Sequence, residues 1–415
     1  MTVLISHPTG NANLRAVLRG LRRGGLLARF HTTIAAPPGN WCGLLGPKQT
    51  AKLDQRRFPE VDWQDIRLHP ERELVRQWAR RFGPERLVRH ETGWASVDAV
   101  YKNLDLEVVA DLRRNARDLR AVYAYEDGAL ETFRAAEKLG VKCIYDLPTA
   151  HWRIVSELMR DEAERFPDWA VTMNALTDSV MKYSRKDEEL VLANCVMVAS
   201  SFARQSLHGL VDGAKVQVIG YGCSTVDLGP IHPRNQDEPI NLLFVGRLNQ
   251  AKGLADLIES LSLLAVDYRI TLVGALPSHV PKSLDQFLKD PRCIWEGVVP
   301  HSRVFEIMAR SHLFVFPSIV EGFGMVITEA MRSGCPVLTT TNTAGPDVLE
   351  HGTTGFVIPI RRPDLLAAYI TLMAEDEEMR QAIATAARVR AGEMSWNGYE
   401  EDTLRVIQNL IGFQA

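Results

Sequence analysis

The sequence of 415 residues is poor in the features that mark secreted, membrane-spanning and fibrous proteins. Its six cysteines form no Cys-x-x-Cys pair, which argues against a disulfide framework and a zinc finger and for a reduced, cytoplasmic chain. No apolar run approaches the roughly 18–20 residues that span a bilayer. No basic segment precedes an apolar one at the start, so we expect no secretory signal there. We therefore expect a globular protein, and its chain is long enough to form two hydrophobic cores.

A dinucleotide-binding fingerprint is also missing. The glycine pairs at 220–222 and 322–324 lack the third glycine of Gly-x-Gly-x-x-Gly and the acidic residue that follows it about 20 positions later. This argues against a nicotinamide-dependent oxidoreductase.

Charge is unevenly distributed along the chain. Residues 1–120 contain 21 Lys and Arg against 13 Asp and Glu, whereas residues 121–415 contain 27 against 38. The basic first part indicates an anionic partner, such as nucleic acid, anionic lipid or a phosphorylated small molecule, or else a solvated arginine-rich surface. Because it lacks interleaved aromatic platforms and the rest of the chain is acidic, we expect no nucleic-acid partner.

Apolar segments of strand length alternate with amphipathic segments of helix length. This alternation, with nearly continuous apolar strands, predicts parallel sheets covered by helices on both faces. The segments predicted as buried strands are 2–6, 141–146, 195–199, 241–245, 269–273, 312–316, 336–340 and 355–359. A further strand is predicted over 121–127, which ends at Glu126 and Asp127.

A proline-rich, weakly apolar stretch at 228–239 divides the chain. We therefore predict two doubly wound α/β domains, over 1–230 and 238–395. The segment 396–415 is amphipathic and predicts one helix with Ser395 as its N-cap. Loop 36–60 is long for a compact domain, which predicts a functional or mobile loop.

The loop after the predicted strand 241–245 suits a diphosphate. Gly246 permits a sharp turn, and Arg247 and Lys252 place two cations in a short loop that ends at Gly253. An ordinary surface loop with two exposed cations is the alternative.

The loop after the predicted strand 312–316 suits an anion flanked by hydroxyl groups. Gly322 and Gly324 permit a tight turn whose amides, with the start of the next helix, can bind phosphate. Glu321 precedes the helix, and Glu329 is expected two turns into it. At the helical rise per residue they would lie about 12 Å apart, so that one carboxylate could accept from sugar hydroxyls and the other from a ribose. Two acids that merely flank an ordinary helix start are the alternative.

With these two loops, a strand-end Gly274 and the segment Trp-Glu-Gly-Val-Val at 295–299, the second half resembles a known family. It is similar to the nucleotide-sugar-binding domain of retaining, family 4 glycosyltransferases with the GT-B fold. The resemblance covers about residues 195–395 and is weaker over 1–190. It implies two Rossmann-like domains that face each other across a cleft, with the C-terminal helix crossing back to the first domain.

The resemblance implies a role for each matched residue. Arg247 and Lys252 would hold the diphosphate, Glu321 would contact the donor sugar, Glu329 the ribose, and the backbone around Val298 the base. Departures at Gly274-Ala275-Leu276 and at 344–347 leave the base and the sugar open. The donor-binding residues implied are Gly246, Arg247, Lys252, Gly274, Val298, Glu321, Gly322, Phe323, Gly324, Met325, Val326 and Glu329.

Candidate acceptor contacts lie in first-domain loops that follow predicted strands. His151 resembles the family's cleft histidine, although a lone histidine at a strand end also suits a structural role. A glycine turn with an asparagine N-cap is the alternative for the first loop. The predicted acceptor residues are Gly10, Asn11, Asn13, Glu126, Asp127 and His151, and the predicted catalytic residues are Glu321, His151, Lys252 and Arg247.

These features predict a metal-independent glycosyltransferase. Arg247, Lys252 and a helix N-terminus would stabilise the leaving diphosphate, and no Asp-x-Asp motif is present. The resemblance implies transfer with retention from a UDP- or GDP-linked sugar to a glycan, lipid-linked or small-molecule hydroxyl, with the leaving phosphate taking the acceptor proton. A sugar-nucleotide epimerase of the same fold and a non-catalytic nucleotide-sugar-binding protein are the alternatives.

The basic first part also predicts peripheral docking on an anionic cytoplasmic membrane face. The segment 14–29, predicted as a helix, mixes Arg with Leu, and loop 36–60 carries Trp41, Leu44 and Leu45 among cations. In the alternative, the leucines of the helix face the core. They are Leu14, Leu18, Leu21 and Leu26.

Overall fold

The computed structural model describes residues 2–39, 55–173, 176–224, 229–231, 233–235 and 238–413. Within them, the strands form a seven-stranded and a six-stranded parallel sheet. The first sheet consists of β1 (Val3–Ser6), β2 (Leu27–Thr32), β3 (Ile66–Leu68), β4 (Ala121–Tyr125), β5 (Lys142–Asp146), β6 (Cys195–Val198) and β7 (Val216–Val218). The second consists of β8 (Ile240–Val245), β9 (Tyr268–Val273), β10 (Cys293–Gly297), β11 (Leu313–Phe316), β12 (Val337–Thr340) and β13 (Phe356–Ile358).

Helices connect successive strands. Several begin at the side-chain caps that the sequence offers: Asn11 Oδ1 accepts from Leu14 N at 3.1 Å, and Ser395 Oγ accepts from Gly398 N at 3.0 Å. The helices are α1 (Ala12–Arg23), α2 (Glu71–Phe82), α3 (Val97–Asn115), α4 (Leu130–Leu139), α5 (Trp152–Arg165), α6 (Val180–Leu192), α7 (Ser201–Gln205), α8 (Leu254–Ser262), α9 (Lys282–Phe287), α10 (His301–Arg310), α11 (Met325–Arg332), α12 (Gly345–Val348), α13 (Pro363–Glu375), α14 (Glu377–Glu393) and α15 (Trp396–Ile411).

Both sheets are doubly wound. The strand orders are β3-β2-β1-β4-β5-β6-β7 and β10-β9-β8-β11-β12-β13. In each sheet the winding reverses next to its first strand, between β1 and β4 and between β8 and β11. Loops at the carboxyl ends of these strand pairs diverge and leave a crevice, which is where such sheets bind ligands. The predicted fold class is thereby confirmed, and each predicted strand overlaps an observed one.

The predicted helix over 14–29 is wrong at its end. Helix α1 ends at Arg23, because Gly24 and Gly25 would lose much conformational entropy in a helix. Leu27 already belongs to β2. Its leucines are buried against the first sheet, so the structure places them in the core and not on a membrane-facing surface. Trp41, Leu44 and Leu45 lie outside the described residues.

Strands β2, β3, β7 and β10 are absent from the predicted set. In β2, Arg29 and His31 interrupt the apolar pattern. Their side chains bond Asp111 of α3, with Arg29 NH1–Asp111 Oδ1 at 2.8 Å and His31 Nε2–Asp111 Oδ2 at 2.9 Å. A buried polar residue with such a partner is stable, but its partner cannot be recognised from the local sequence.

Helix α15 returns to the first domain and packs on α1. Glu400 accepts from Arg19 Nε at 2.5 Å, and the Glu400 carbonyl approaches Gly20 so closely that a Cβ there would lie 3.0 Å away. The crossing of the last helix to the first domain is therefore confirmed.

The segment 152–173 lies in the first part of the chain but packs against the second domain. Met159 of α5, with Trp169 and Met173 after it, joins the apolar core of the second sheet. Trp169 Nε1 also donates to Ser283 Oγ at 2.9 Å. The predicted division at 230–238 falls between the two sheets, whereas the contacts of residues 152–173 cross it.

Among the described residues, no helix combines the length and the apolar character that crossing a membrane requires.

Candidate active site

Lys252 and Glu321 meet where the winding of the second sheet reverses. Lys252 ends the loop after β8, and Glu321 lies in the loop after β11. Lys252 Nζ forms an ion pair with Glu321 Oε2, and Glu321 Oε1 accepts from Gly322 N at 3.1 Å. Both side chains keep about a fifth of their surface exposed, at 22% and 20%. The pair is therefore reachable from the crevice.

Glycines let these loops approach. Gly253 has a φ of +69°, and a Cβ on it would lie 1.9 Å from the Pro317 carbonyl oxygen. A Cβ on Gly322 would lie 1.9 Å from the Pro148 carbonyl oxygen of the first domain. A larger residue at Gly253 would separate the loop after β8 from the loop after β11. A larger residue at Gly322 would separate the loop after β11 from the first domain.

Hydrogen bonds fasten the Gly322 loop to the first domain. Ser200 Oγ donates to the Gly322 carbonyl at 2.5 Å, and Ser201 N donates to Asp347 Oδ2 at 2.9 Å. Asp347 belongs to the segment that departs from the family pattern, so this departure takes part in contact between the domains. Phe323 is buried, with its ring centroid 5.1 Å from that of Tyr221.

Helix α11 begins later than expected. Gly324 precedes it with a φ of +84°, so Glu329 is the fifth helical residue and lies one turn in, not two. The estimate of about 12 Å from helical rise does not apply, because residues 321–324 lie outside the helix. Met325 and Val326, in the first turn, are half-buried.

Glu329 borders a cavity between the domains. The cavity has a volume of about 430 Å³ and is also lined by Ala12 of the first domain and Trp396 of the last helix. Glu329 Oε1 lies 2.9 Å from His301 Nε2, a partner that the motif did not indicate. The carboxylate is held in place and faces a space open to both domains.

Four other predicted donor residues lie in the loops at the carboxyl ends of the strands of the second sheet. Arg247 is exposed, and no ion pair to it is found in the described part of the chain. Gly274 N donates to the Gly297 carbonyl at 2.8 Å, which links the loops after β9 and β10. Val298 follows β10 with 78% of its surface exposed. Gly246 N donates to the Val273 carbonyl at 2.9 Å and so joins the same row of strand-end loops.

His151 is buried at the start of α5. Its Nδ1 accepts from Arg153 N at 3.4 Å, and its Nε2 lies 3.3 Å from Asp187 Oδ1 without hydrogen-bond geometry. Burial lowers the pKa of His151 to about 4, against the opposing effect of Asp187, so the ring is neutral at pH 7. Pro148, three residues earlier, touches Gly322. The structure shows a capping role for His151, and its catalytic role stays a prediction.

The first loop of the chain is built around His7, which sequence reasoning missed. His7 Nδ1 accepts from Thr9 N at 3.1 Å and from Gly10 N at 2.9 Å, while its buried Nε2 has no hydrogen-bond partner among the described residues. Burial, with Arg56 nearby, lowers its pKa to about 3. The position of His7, directly after the first predicted strand, was the sequence feature that could have indicated its role in this loop. Asn11 caps α1, as the structural alternative proposed.

Asn13 lies beside Asp146, a buried carboxyl group of the first domain. Its Nδ2 lies 3.5 Å from Asp146 Oδ2, which also accepts from Tyr123 OH at 2.7 Å. Burial raises the pKa of Asp146 to about 7, against the lowering effect of the Tyr123 hydrogen bond. Asn13 is thus held inside the domain.

Glu126 and Asp127 are held by cations of α6. Glu126 Oε1 lies 3.2 Å from Lys186 Nζ, and Asp127 Oδ1 accepts from Arg185 NH2 at 2.9 Å. Burial raises the pKa of Glu126, although Lys186 opposes the shift. The two carboxylates fasten α6 to the end of β4, and acceptor contact by either stays a prediction.

A buried polar network behind Lys252 is the main feature missed. Gln250 Nε2 donates to Glu162 Oε2 at 2.6 Å and to Asp256 Oδ2 at 2.8 Å, and its Oε1 accepts from Ala255 N at 2.9 Å. Glu162 also accepts from Arg361 Nε at 2.6 Å. Glu162 belongs to α5 and the other members to the second domain, so the network fixes the Lys252 loop from across the division.

Comparison with known proteins finds matches to this second domain. The family model described as "Glycosyl transferases group 1" matches residues 230–390. The second domain is therefore similar to the domain that this family shares. The chain is 25% identical over 253 residues to the O-antigen chain mannosyltransferase B of Escherichia coli, covering 55% of this chain and 65% of that protein. It is 26% identical over 254 residues to a D-inositol 3-phosphate glycosyltransferase of Jonesia denitrificans, covering 54% and 58%. The chain thus spans less than two thirds of these relatives.

Solved structures extend the match to the whole chain. A sucrose-phosphate synthase from Thermosynechococcus elongatus superposes with a TM-score of 0.69 at 15% identity, covering 100% of both chains. Anabaena Alr3699/HepE, in complex with UDP-glucose, superposes with a TM-score of 0.61 at 17% identity, covering 99% of this chain and 100% of that one. At these identities the likeness establishes the fold. The predicted GT-B architecture and the resemblance to glycosyltransferases are confirmed.

Proposed function

We propose that the chain transfers a sugar with retention, and without a metal ion, from a nucleoside-diphosphate sugar to an acceptor hydroxyl. The observation that carries this proposal is the Lys252–Glu321 ion pair where the second sheet reverses its winding. The two groups neutralise each other there, and each has a role once a donor arrives. The diphosphate would take Lys252 as its counter-ion, which frees Glu321 to accept hydrogen bonds from the sugar.

The reaction needs charge stabilisation more than proton transfer by the protein. The bond between the anomeric carbon and the diphosphate oxygen breaks, and negative charge collects on the leaving group. Lys252, Arg247 and the amides at the start of α11 would stabilise that charge. The acceptor oxygen bonds the anomeric carbon on the same face, and its proton passes to the leaving phosphate. The neutral His151 would help to position the groups and not act as a nucleophile.

The nucleoside would occupy the cavity beside Glu329. Its carboxylate, placed by His301, is a suitable acceptor for ribose hydroxyls. The exposed backbone at Val298 would contact the base. The complex of Anabaena Alr3699/HepE with UDP-glucose supports a nucleotide sugar as the donor, and we propose a UDP- or GDP-linked one.

The acceptor would enter between the domains, where Pro148 and Ser200 approach the Gly322 loop. Several curated relatives are named for polysaccharide synthesis, among them the O-antigen chain mannosyltransferase B. This supports a glycan or lipid-linked acceptor.

A donor screen tests the proposal. Thermal shift and release of free nucleotide are measured with UDP-, GDP-, ADP- and dTDP-sugars, with and without EDTA. We expect one nucleotide to stabilise the protein and its sugar to be released slowly despite EDTA. Glu321→Ala should abolish release and keep nucleotide binding, whereas Glu350→Ala, an exposed glutamate of the same domain, should behave as the wild type.

The same screen separates the alternatives. An epimerase would convert the nucleotide sugar into an isomer and release no free nucleotide. A binding protein would be stabilised without releasing either product. Loss of release in EDTA would contradict the metal-independent reaction, and full activity in Glu321→Ala would contradict the site.

A further inference from the structure

Helix α2 presents an apolar stripe to solvent. Leu74, Trp78 and Phe82 follow one another at intervals of four residues and therefore lie on one face of the helix. Their exposed fractions are 53%, 52% and 71%. A surface helix normally turns polar residues outward, so three large apolar side chains in line on the outer face need an explanation.

The orientation of α2 is determined by its other face. Glu73 and Ala79 are buried there, and the helix packs on α3. Glu73 is held by Arg76, with Oε2–Nε at 2.6 Å and Oε1–NH2 at 2.7 Å. Rotating the stripe inward would expose these groups and bury charge. The Trp78 ring also lies against Gly83, where a Cβ would come within 2.7 Å of it.

Exposed arginines lie at the end of α2 and in the segment that follows it. Arg80, Arg81, Arg86 and Arg89 are exposed, and across the described ranges none of them forms an ion pair with a carboxylate. The Arg81 guanidinium lies over the Phe82 ring, 5.0 Å from its centroid.

Helix α1, which lies in the segment that the sequence analysis predicted to dock on a membrane, differs in the pairing of its arginines. Its arginines at 15, 19 and 22 pair with Glu60, Glu400 and Asp62. The positive charge available to a partner is therefore greater around α2 than on α1.

We propose that the outer face of α2 docks on an anionic membrane surface. Tryptophan, phenylalanine and leucine on one face of a helix enter the interface between headgroups and acyl chains, and arginines around them bind lipid phosphates. Charge selects this occupant, because an apolar protein groove would not account for four exposed arginines, at the end of α2 and just after it, that pair with no carboxylate in the described residues. Nucleic acid is disfavoured because the three apolar side chains form one continuous stripe along the helix with no arginine between them.

The inference is independent of sugar transfer, because it concerns a helix outside the donor loops. Flotation of the full-length protein with lipid vesicles tests it. The vesicles contain phosphatidylcholine alone, or phosphatidylcholine partly replaced by phosphatidylglycerol. We expect the wild type to float with the anionic vesicles only. Trp78→Ser with Phe82→Ser should lower the partition coefficient by about tenfold or more. Arg81→Glu, which changes the arginine over the Phe82 ring, should lower it by at least about fivefold.

A matched control removes exposed apolar side chains elsewhere. Val180 and Met181 of α6 are 78% and 82% exposed, and Val180→Ser with Met181→Ser should leave flotation unchanged. Thermal unfolding and nucleotide release of all variants should match the wild type, which separates loss of docking from loss of folding or of the proposed activity.

Three results would overturn the inference. These are equal flotation with both kinds of vesicle, α2 variants that float like the wild type, and a control variant that fails equally. A concentration-dependent dimer that Trp78→Ser dissociates would also overturn it, in favour of a second copy of the chain as the occupant.

Discussion

At the scale of the residue, the proposed function depends on how a few charges are balanced. Lys252 and Glu321 are neutralised by each other, while Glu329 is held by His301. The groups of the first domain are held differently, since His7, Asp146 and His151 are buried. Their protonation is set mainly by loss of water and less by opposite charges.

Replacing Lys252 with alanine should weaken donor binding and transfer together. The diphosphate loses a charged partner, worth roughly 1.5–3 kcal/mol for a hydrogen bond to a charged group, so the nucleotide Kd should rise by about tenfold to a hundredfold. Titration calorimetry with the nucleotide and initial rates measure both effects. Lys289→Ala, on the exposed surface of the same domain, is the control. An unchanged Kd would contradict the assignment of Lys252.

Asp146 should make stability depend on pH in a defined direction. Its pKa is raised from 3.8 to about 7 in the folded state, so between these values the folded protein holds a proton that the unfolded chain releases. The free energy of unfolding contributed by Asp146 therefore falls as pH rises from about 4 to about 7 and is constant above.

Asp146→Asn removes this effect and keeps an acceptor for Tyr123. Relative to the wild type, the variant should gain stability, by up to a few kcal/mol, between pH 4 and about 7. Denaturant unfolding at a series of pH values measures the difference. Asp118→Asn, on an exposed residue, should show no comparable trend. A difference between Asp146→Asn and wild type that does not vary with pH would refute the account.

At the scale of the element, α5 is more than a connection between strands. It begins at His151 behind the cleft and carries Glu162 into the second domain, where Gln250 lies two residues from Lys252. The helix thus links the two sides of the site. It could not be assigned from sequence, because Glu162 and Gln250 are distant in the chain and each resembles an ordinary surface residue.

Glu162→Gln should destabilise the protein and impair the donor site. The substitution removes the charge that balances Arg165 and Arg361 in a fully buried position, and breaking a buried ion pair costs about 3–5 kcal/mol. Thermal unfolding measures the loss of stability. The Michaelis constant for the donor should rise in the folded fraction, because the Lys252 loop loses its support.

Glu164→Gln, two residues away and exposed, is the matched control and should resemble the wild type. If Glu162→Gln unfolds earlier but keeps the wild-type Michaelis constant, the network stabilises the fold without positioning Lys252.

At the scale of the whole molecule, the two sheets are joined more firmly than a single linker would allow. Residues 152–173 pack on the second sheet, α15 packs on the first, and Ser200 and Asp347 bridge the cleft. The apolar core of the second sheet includes Phe202 and Ala199 from the first domain.

We therefore expect the chain to unfold in one cooperative thermal transition. Each sheet would expose apolar surface if the other unfolded first, which couples their free energies. Scanning calorimetry measures the number of transitions and compares the calorimetric with the van't Hoff enthalpy. Two separate transitions, or a fragment 238–395 that unfolds at the temperature of the full chain, would contradict the coupling.

The sequence by itself determined the two doubly wound sheets, the strands at their centres and the two loops that we propose to bind the donor. These features are local, since a central strand needs an unbroken apolar segment and a phosphate loop needs its glycines and charges within a few residues. Only the tertiary structure decided that α1 ends at Arg23, that its leucines are buried, that Glu126 and Asp127 are held by α6, and that Glu162 supports Lys252. Each of these depends on a partner that folding brings from a distant part of the chain, and burial and pairing are properties of that encounter.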